Sequence, residues 1–358
     1  MSELRINNIT DRAGSSGPII AGVSTVTSTS HMVMPSGPTE MRGGRGRGVF
    51  SGGNAAPSTS YVNTMSFITI ATTGNATDFG DLKQGLYSHG SAADSTRGII
   101  AGGYDSPGGT SSRIQYTTIS SSGGSNDFGD LAVGFQYGGG CNSPTLGVFG
   151  GAWADTNDAI SSGGKNSNVL QFITIQTTGD STEFGDLTQR RQTDQALSNK
   201  TRGCFIGGAY YSSYPTYIAT NIIDFVTFSS LGDAQDFGNL INDGFGQGAA
   251  ANNTRGIIAG GHSGSSPFPK TNVIEFISIA TTGNAEDFGD LTVSDSYITA
   301  LSSSTRVTIG GGSPSGTRVN TIQFITISTT GNAQDFGDLT IAVNQLSGFS
   351  DVNGGLGD

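Results

Sequence analysis

Apolar and polar residues alternate with a period of two in one phrase that recurs along the chain. Its first copy, Phe67 to Leu82, is Phe-Ile-Thr-Ile-Ala-Thr-Thr-Gly-Asn-Ala-Thr-Asp-Phe-Gly-Asp-Leu. The β-branched alternation of Phe-Ile-Thr-Ile predicts a strand, and Thr-Thr-Gly-Asn predicts a turn after it. No segment keeps a helical period, so the pattern predicts an all-β protein.

The phrase occurs six times, and in every copy two aromatic residues lie 12 positions apart. An apolar run ending in Gly-Gly precedes each copy, and the copies are on average about 51 residues apart. About four short strands in a repeat of this length are typical of a β-propeller blade. Units 1 to 6 are defined by the aromatic pairs Phe67/Phe79, Tyr116/Phe128, Phe172/Phe184, Phe225/Phe237, Phe276/Phe288 and Phe324/Phe336, and their Gly-Gly pairs are Gly52-Gly53, Gly102-Gly103, Gly150-Gly151, Gly207-Gly208, Gly260-Gly261 and Gly310-Gly311.

The two ends of the repeat array complement each other. Residues Thr340 to Ser347 match the opening of a further unit that never reaches its own Gly-Gly, and the missing remainder, Arg47 to Gly53, precedes unit 1. A C-terminal strand that completes unit 1 would close a ring and remove its open edges. We therefore expect a six-bladed propeller over residues 45–358 and a separate N-terminal arm over residues 1–44.

One loop in each unit varies in length, while the other connections stay constant. The interval from Gly-Gly to the next strand aromatic ranges from 13 to 21 residues, whereas the turn phenylalanine is always 23 or 24 residues before the next Gly-Gly. A constant scaffold with one variable family of loops is typical of a recognition face. Aromatic residues are concentrated in these loops, with Tyr104 and Phe268 among them, and they would either anchor a ligand or cap the core. The predicted recognition residues are Trp153, Tyr210, Tyr211, Tyr214, Tyr217 and His262.

Composition narrows the classes of partner. The chain has 358 residues, a formal net charge of -11 and a pI near 4.6, so it lacks the basic surface that binding to nucleic acid requires. No apolar run approaches the ~18 residues of a membrane helix, and the first residues lack the apolar core of a signal peptide. We therefore expect no membrane insertion. A disulfide framework is not expected either, because Cys141 and Cys204 are the only cysteines in the sequence. Cys204 is expected to be a buried, inert thiol.

Acidic residues three positions apart recur in the Phe-Gly-Asp phrase, as at Asp78/Asp81. Such pairs could bind Ca²⁺, or they could cap turns and pair with the arginines of the preceding strand, such as Arg97 and Arg255. Because the pairs recur in nearly identical copies, turn capping and pairing with arginines are favoured over a specific site. Whether the pairs bind Ca²⁺ stays open. No nucleophile elbow, phosphate-binding loop or metal-binding His pair is present in the sequence, so we expect no enzyme activity, no cofactor and no metal.

The repeats resemble the kelch propeller family, in which an apolar strand ending in Gly-Gly is followed by an aromatic strand and a Trp before a short turn. In this chain phenylalanine, for example Phe79 and Phe288, stands where kelch repeats have Trp, so the likeness is to a kelch-like propeller. Enzymatic kelch-like propellers such as galactose oxidase bind copper through two His and two Tyr. The three histidines here, His31, His89 and His262, lie in different settings and give no support to such a site.

The arm contributes a second resemblance. The opening Ile6 to Thr10 and the stretch Val33 to Gly37, joined to the six repeats, look like virion-associated proteins of tailed bacteriophages, especially marine ones. This resemblance covers essentially the whole chain. It implies a structural protein carried on the particle, attached to other virion proteins through residues 1–44 and present in several copies.

The leading hypothesis is therefore a non-enzymatic phage virion protein, associated with a tail or fibre, whose loop face recognises a glycan or receptor on the host surface. Such a protein would assemble in the host cytoplasm and leave by lysis. The alternative is a capsid, collar or tail decoration protein that touches no receptor. The low charge and the many Ser, Thr and Gly residues fit both hypotheses.

Overall fold

The computed structural model describes residues 46–56, 60–105, 108–154, 166–193, 195–213, 216–264 and 266–355. The proposed arm, residues 1–44, lies outside these ranges. The described chain is all-β, as predicted, and consists of small antiparallel sheets. Across these ranges no helix has the length and apolar character needed to cross a membrane.

Thirty-four short strands follow one another in the described ranges. The first half comprises β1 (Arg47–Ser51), β2 (Asn54–Ala55), β3 (Ser60–Tyr61), β4 (Thr64–Thr69), β5 (Thr77–Asp81), β6 (Leu86–Tyr87), β7 (Gly90–Ala93), β8 (Arg97–Ala101), β9 (Tyr104–Asp105), β10 (Gly109–Thr118), β11 (Asn126–Gln136), β12 (Gly139–Asn142), β13 (Leu146–Gly150), β14 (Trp153–Ala154), β15 (Val169–Thr174), β16 (Thr182–Asp186) and β17 (Ala196–Ser198). The second half comprises β18 (Arg202–Ile206), β19 (Ala209–Ser213), β20 (Thr216–Ala219), β21 (Ile222–Thr227), β22 (Gln235–Asn239), β23 (Gly244–Phe245), β24 (Gly248–Ala251), β25 (Arg255–Ala259), β26 (His262–Ser263), β27 (Val273–Ser278), β28 (Glu286–Asp290), β29 (Thr299–Ser302), β30 (Arg306–Gly310), β31 (Thr321–Thr326), β32 (Gln334–Asp338), β33 (Val343–Asn344) and β34 (Ser347–Ser350).

Each repeat unit contributes four neighbouring antiparallel strands to one sheet, as the sequence predicts. The second strand carries the apolar run before Gly-Gly, the third carries the first aromatic residue, and the fourth carries Phe-Gly-Asp, which is Phe-Gly-Asn in unit 4. In unit order the four strands are β34-β1-β4-β5, β7-β8-β10-β11, β12-β13-β15-β16, β17-β18-β21-β22, β24-β25-β27-β28 and β29-β30-β31-β32. In unit 2 they belong to a seven-stranded sheet that also contains β6, β9 and β14. The first strands contact one another in the order β34, β7, β12, β17, β24 and β29, and β29 in turn contacts β34.

The predicted pairing of the two ends of the array is confirmed. Strand β34 pairs antiparallel with β1, and its four residues face Gly48 to Ser51. The chain then turns across the ends of other first strands, because Asn353 donates to Asn142 Oδ1 at 3.0 Å and accepts from Ser302 Oγ at 3.0 Å. The last described residues therefore contact units on different sides of the array.

The Gly-Gly positions in units 3 and 6 were assigned one residue too early. Gly150 pairs with Leu170 and Gly310 pairs with Ile322, at the strand position that Ser51 occupies in unit 1. The equivalent pairs are therefore Gly151-Ala152 and Gly311-Gly312. A side chain at Gly310 would run into the buried ring of Phe50, which explains the extra glycine there.

Apolar clusters lie between neighbouring sheets. In one cluster, Cys204 and Phe237 of unit 4 pack with Ile258 and Ile277 of unit 5, and five further clusters join neighbouring units in the same way. Within every unit the two repeat aromatics meet edge to face, with ring centroids 5.9 to 6.1 Å apart. The 12-residue spacing thus places one ring on the third strand beside the other on the fourth.

A backbone contact between glycines connects each sheet to the next. The N–H of the turn glycine in one unit donates to the carbonyl of the Phe-Gly-Asp phenylalanine in the preceding unit at 2.7 to 2.9 Å, and Gly74 of unit 1 donates to Phe336 of unit 6. The Phe-Gly-Asp glycines have φ from 135° to 154°. A Cβ on any of them would overlap the backbone of the facing glycine, so both the conformation and the close approach require glycine.

A buried polar side chain on the third strand makes a second contact between units. Gln171 accepts a hydrogen bond from the N–H of Val133 at 2.9 Å, and Gln323 accepts one from Thr292 at 2.8 Å. In unit 5 a carboxylate replaces the amide, because Glu275 accepts from Ile241 at 2.9 Å. The pKa of Glu275 is raised to about 7, chiefly by burial; the Ile241 hydrogen bond acts in the opposite direction, and nearby Asp287 adds to the rise.

Unit 4 has an ion pair at this position. Asp224, which replaces glutamine, receives a bond from Arg191 Nη1 at 2.8 Å, and both side chains are fully buried. Arg191 Nε also donates to the carbonyl of Gly207 at 2.8 Å. The pair neutralises a carboxylate that burial would otherwise disfavour.

The repeated arginines make a third contact between units, and the expectation that they pair with the acids was wrong. Arg255 lies over the ring of Phe276 at 4.3 Å and donates to the carbonyl of Ile327 in the next unit. Arg306 likewise lies over the ring of Phe324 and donates to the carbonyl of Ile70, which links unit 6 to unit 1. Stacking over the strand aromatic leaves the guanidinium directed at a carbonyl rather than at a carboxylate.

Replacement of Gly238 by Ala should destabilise the fold by more than about 2 kcal/mol, because its φ is 144° and its Cβ would overlap Gly283. The matched control is Gly283→Ala on the other side of the same contact, where a Cβ has open space. We expect that control to change stability by less than about 0.5 kcal/mol. Chemical denaturation of the two variants measures the difference, and equal effects would contradict the contact.

Replacement of Glu275 by Gln should stabilise the protein at pH 8 by on the order of 2 kcal/mol, with little effect below pH 4.5. The folded-state pKa lies above the ordinary value of 4.5, so the folded protein binds the proton more tightly and stability falls as the pH rises from about 4.5 to 7. Thermal unfolding at several pH values measures this. Gln323→Glu is the converse variant, and it should introduce the same pH dependence into unit 6.

Candidate functional site

The sheets present two distinct ends. At one end the second strands reach their glycine pairs, and we name this end the Gly-Gly face. The other end carries Gly46, where the described chain begins, and the residues after β34, since the N–H of Arg47 donates to Asp351 Oδ1 at 2.8 Å. The chain thus enters the sheets at the end opposite the variable loops.

An aromatic cleft of about 290 Å³ opens on the Gly-Gly face. Six rings and two side-chain amides line it: Gln136, Tyr137, Trp153, Gln192, Tyr211, Tyr217, Phe245 and Tyr297. The rings touch in sequence, because Trp153 meets Tyr211 with centroids 5.5 Å apart, Tyr211 meets Tyr217 at 4.8 Å, and Tyr217 meets Phe245 at 5.2 Å. None of these lining side chains is charged.

Strand pairing explains how these rings converge. Strands β19 and β20 form a hairpin in unit 4, in which Tyr211 pairs with Tyr217. Strand β14 pairs Trp153 with Gln136 at the end of the long strand β11. Because residues at paired positions lie on the same face of a ladder, each pair presents two side chains to the cleft.

Two buried amides hold the hairpin beside Trp153. Asn166 bridges to the backbone of Trp153 and donates from Nδ2 to the carbonyl of Tyr211 at 3.2 Å. Gln192 accepts from the hydroxyl of Tyr217 at 3.3 Å. The Gln136 amide, in contrast, has no hydrogen-bond partner among the residues the structure describes, so its donors and acceptor are open to the cleft.

His262 lies behind the cleft rather than in its lining. Its ring stacks on Phe245 with centroids 4.9 Å apart and meets Tyr297 at 5.3 Å. Nδ1 lies 2.7 Å from the carbonyl oxygen of Phe268, which requires that Nδ1 donate a proton. Burial and the nearby Lys270 lower the pKa of His262, against the opposing effect of that hydrogen bond, so a neutral ring supports the aromatic wall.

The structure brings together only part of the predicted recognition set. Trp153, Tyr211 and Tyr217 line the cleft, and His262 packs against two of its rings. Tyr210 pairs with Ile218, so alternation along the hairpin places it on the face opposite Tyr211. Tyr214 lies outside the described residues.

Tyr137, Phe245 and Tyr297 line the cleft but are absent from the predicted recognition residues. These residues lie between the Phe-Gly-Asp-Leu phrase and the following first strand, a segment of nearly constant length that was assigned to the scaffold. In four of the six units an aromatic residue occurs there four to six positions after the leucine, as in Leu131 to Phe135 and Leu291 to Tyr297. That recurrence was the available signal.

The remaining candidates from the sequence are the repeated acidic pairs and Cys204. Asp78 and Asp81 lie exposed on strand β5 rather than in a turn. Within the described ranges, no group of three or more His, Cys, Asp and Glu side chains is placed to hold a metal ion. The prediction of a buried Cys204 is confirmed, and burial raises the pKa of its thiol to about 12.

The single tryptophan gives a direct test of the cleft geometry. Tyr211→Ala removes the ring that lies against Trp153 and exposes the indole to water, so its fluorescence emission should shift to longer wavelength. Tyr210→Ala removes a ring of the same type from the other face of the hairpin and should leave the emission unchanged. A shift in both variants, or in neither, would contradict the arrangement.

No protein-family model and no curated protein sequence matches the chain.

Proposed function

We propose that the six sheets are the blades of a kelch-like β-propeller, closed by the C-terminal strand. Three observations support this: each unit supplies four neighbouring antiparallel strands of one sheet, the first strands contact one another in cyclic order, and unit 6 is bonded to unit 1 as every other unit is to its neighbour. The last point rests on the Gly74 N–H to Phe336 carbonyl bond and on Arg306 reaching Ile70.

On this scaffold, the protein serves as a non-enzymatic bacteriophage virion protein, associated with a tail or fibre, that recognises a host-surface glycan or receptor. The observation that carries the proposal is the aromatic cleft at the end opposite the chain entry at Gly46. An arm that leaves from one end can attach to other virion proteins while the cleft faces outward. The phage assignment itself comes from the sequence resemblance.

The residues that line the aromatic cleft favour ligand binding over catalysis. Aromatic faces stack on apolar ligand surfaces, and amides such as Gln136 supply directional hydrogen bonds. The described lining holds no carboxylate or imidazole that could act as a general acid or base. A decoration protein without a receptor would need the arm and the ring but not this cleft.

Trp153→Ala should reduce adsorption of particles to host cells by at least about tenfold, because aromatic anchors carry much of the free energy at recognition sites. The variant should still assemble, since Trp153 is half-buried at the Gly-Gly face and its pairing with Gln136 of strand β11 runs through the backbone, which alanine retains. Adsorption assays on the propagating bacterial strain measure the effect.

The matched control for adsorption is Tyr210→Ala, which removes an aromatic side chain from the far face of the hairpin. Cryo-electron microscopy of intact particles complements the assay. Undiminished adsorption of the Trp153→Ala particles, or a Gly-Gly face buried against capsid or tail tube, would overturn host recognition and favour the decoration role.

A further inference from the structure

A second group of tyrosines lies on the Gly-Gly face, beside the cleft. Tyr61, Tyr87 and Tyr104 come from three strands of units 1 and 2, and all three are half-buried. Their ring centroids are 4.7 Å apart for Tyr61 and Tyr87, 5.6 Å for Tyr61 and Tyr104, and 5.3 Å for Tyr87 and Tyr104. We name this group the tyrosine cluster.

Tyr137 joins the tyrosine cluster to the aromatic cleft. It lines the cleft, and its ring meets that of Tyr87 edge to face with centroids 6.4 Å apart. Its hydroxyl receives a bond from Gln345 Nε2 at 3.4 Å. Burial raises the pKa of Tyr87 above its ordinary value, and the neighbouring Tyr137 raises it further, so the Tyr87 hydroxyl stays protonated. Aromatic surface therefore continues from Trp153 to Tyr104.

The cluster does more than cap the core beneath it. Leu86 and Leu82 already close that core and are almost fully buried. The three rings above them are tyrosines, and each keeps part of its surface exposed, whereas the repeat aromatic pairs within the units are mostly phenylalanines. Rings with both an exposed face and a hydroxyl suit a ligand that offers apolar patches and hydrogen-bonding groups together.

The chemistry of the surface selects an uncharged ligand. The cleft lining contains no charged side chain, and Asp105, at the edge of the tyrosine cluster, accepts a hydrogen bond from Gln84 Nε2 at 2.5 Å. A polyanionic ligand would find no cation in the lining, and a separate cationic group would find no carboxylate there. Sugar rings combine apolar faces with neutral hydroxyls, which matches stacked rings flanked by amides.

We propose that the aromatic cleft and the tyrosine cluster are two subsites for one extended, uncharged oligosaccharide. This inference rests on the proposed function and adds to it the ligand class and a second binding region. A cleft of about 290 Å³ is at the small end of ligand pockets and holds a short saccharide. The tyrosine cluster binds the sugars that continue beyond it, with Tyr137 between the two subsites.

The test is a ladder of neutral oligosaccharides, glucose, galactose and N-acetylglucosamine polymers from single sugars to hexamers, titrated into the full chain. Trp153 fluorescence reports occupancy of the cleft, and calorimetry reports affinity. We expect hexamers to bind at least about tenfold more tightly than dimers. Tyr104→Ala should remove that gain and leave dimer affinity unchanged, while Tyr210→Ala should behave as the parent protein. Tyr61→Ala is a second variant in the same cluster, should Tyr104→Ala fold poorly.

Each alternative outcome has a distinct meaning. Equal affinity for dimers and hexamers, or a length gain that survives in both cluster variants, would overturn the second subsite. Absence of binding across the ladder, with adsorption to cells still dependent on Trp153, would overturn the saccharide class and leave the proposed host recognition intact. The proposed function fails on a separate measurement, the adsorption of Trp153→Ala particles.

Discussion

The close approach of two backbones at a glycine determines how the sheets are arranged. A turn glycine from one unit donates its N–H to the fourth strand of the preceding unit, beside a glycine whose φ is strongly positive, for example Gly283 against Gly238. The turn backbone lies so close that a side chain on the fourth-strand glycine would overlap it. This constraint accounts for the glycine that follows the fourth-strand phenylalanine in all six units. The apolar clusters fill the space between the sheets.

A sixfold scaffold carries an asymmetric surface. The contacts between sheets repeat around the array, including the arginine that stacks on the strand aromatic and reaches the next unit in five of the six cases. The aromatic cleft instead uses loops and connections of particular units, above all the hairpin of unit 4 and the segment around Tyr297 of unit 5. Stability is thus distributed over many equivalent contacts, and the binding surface can differ from unit to unit without disturbing them.

The sequence was sufficient for the units, the number of strands in each, and the pairing of the two ends, because period and alternation determine which residues meet. It misplaced the glycine pairs of units 3 and 6, since adjacent glycines such as Gly310 and Gly311 look alike without the register that strand pairing supplies. The sequence also could not identify the hydrogen-bond acceptors of the repeated arginines, because a guanidinium can donate to a carbonyl as well as to a carboxylate. At the site, the sequence indicated the aromatic residues of the variable loops. Only the hairpin register shows that Tyr211 faces the cleft and Tyr210 faces away from it. Phe245 was not predicted, because the segment that contains it hardly varies in length between units.

Strand β34 also sets an order of events during synthesis. A ribosome makes the chain from its N-terminus, so β1 emerges early and leaves Gly48 to Ser51 without their neighbouring strand until residues 347–350 are translated. A nascent chain can form the sheets of units 2 to 6 in turn, but unit 1 stays three-stranded until then. Completion of unit 1 is therefore a checkpoint on translation as far as Ser350: chains that terminate before it keep an exposed strand edge, which chaperones and proteases can recognise.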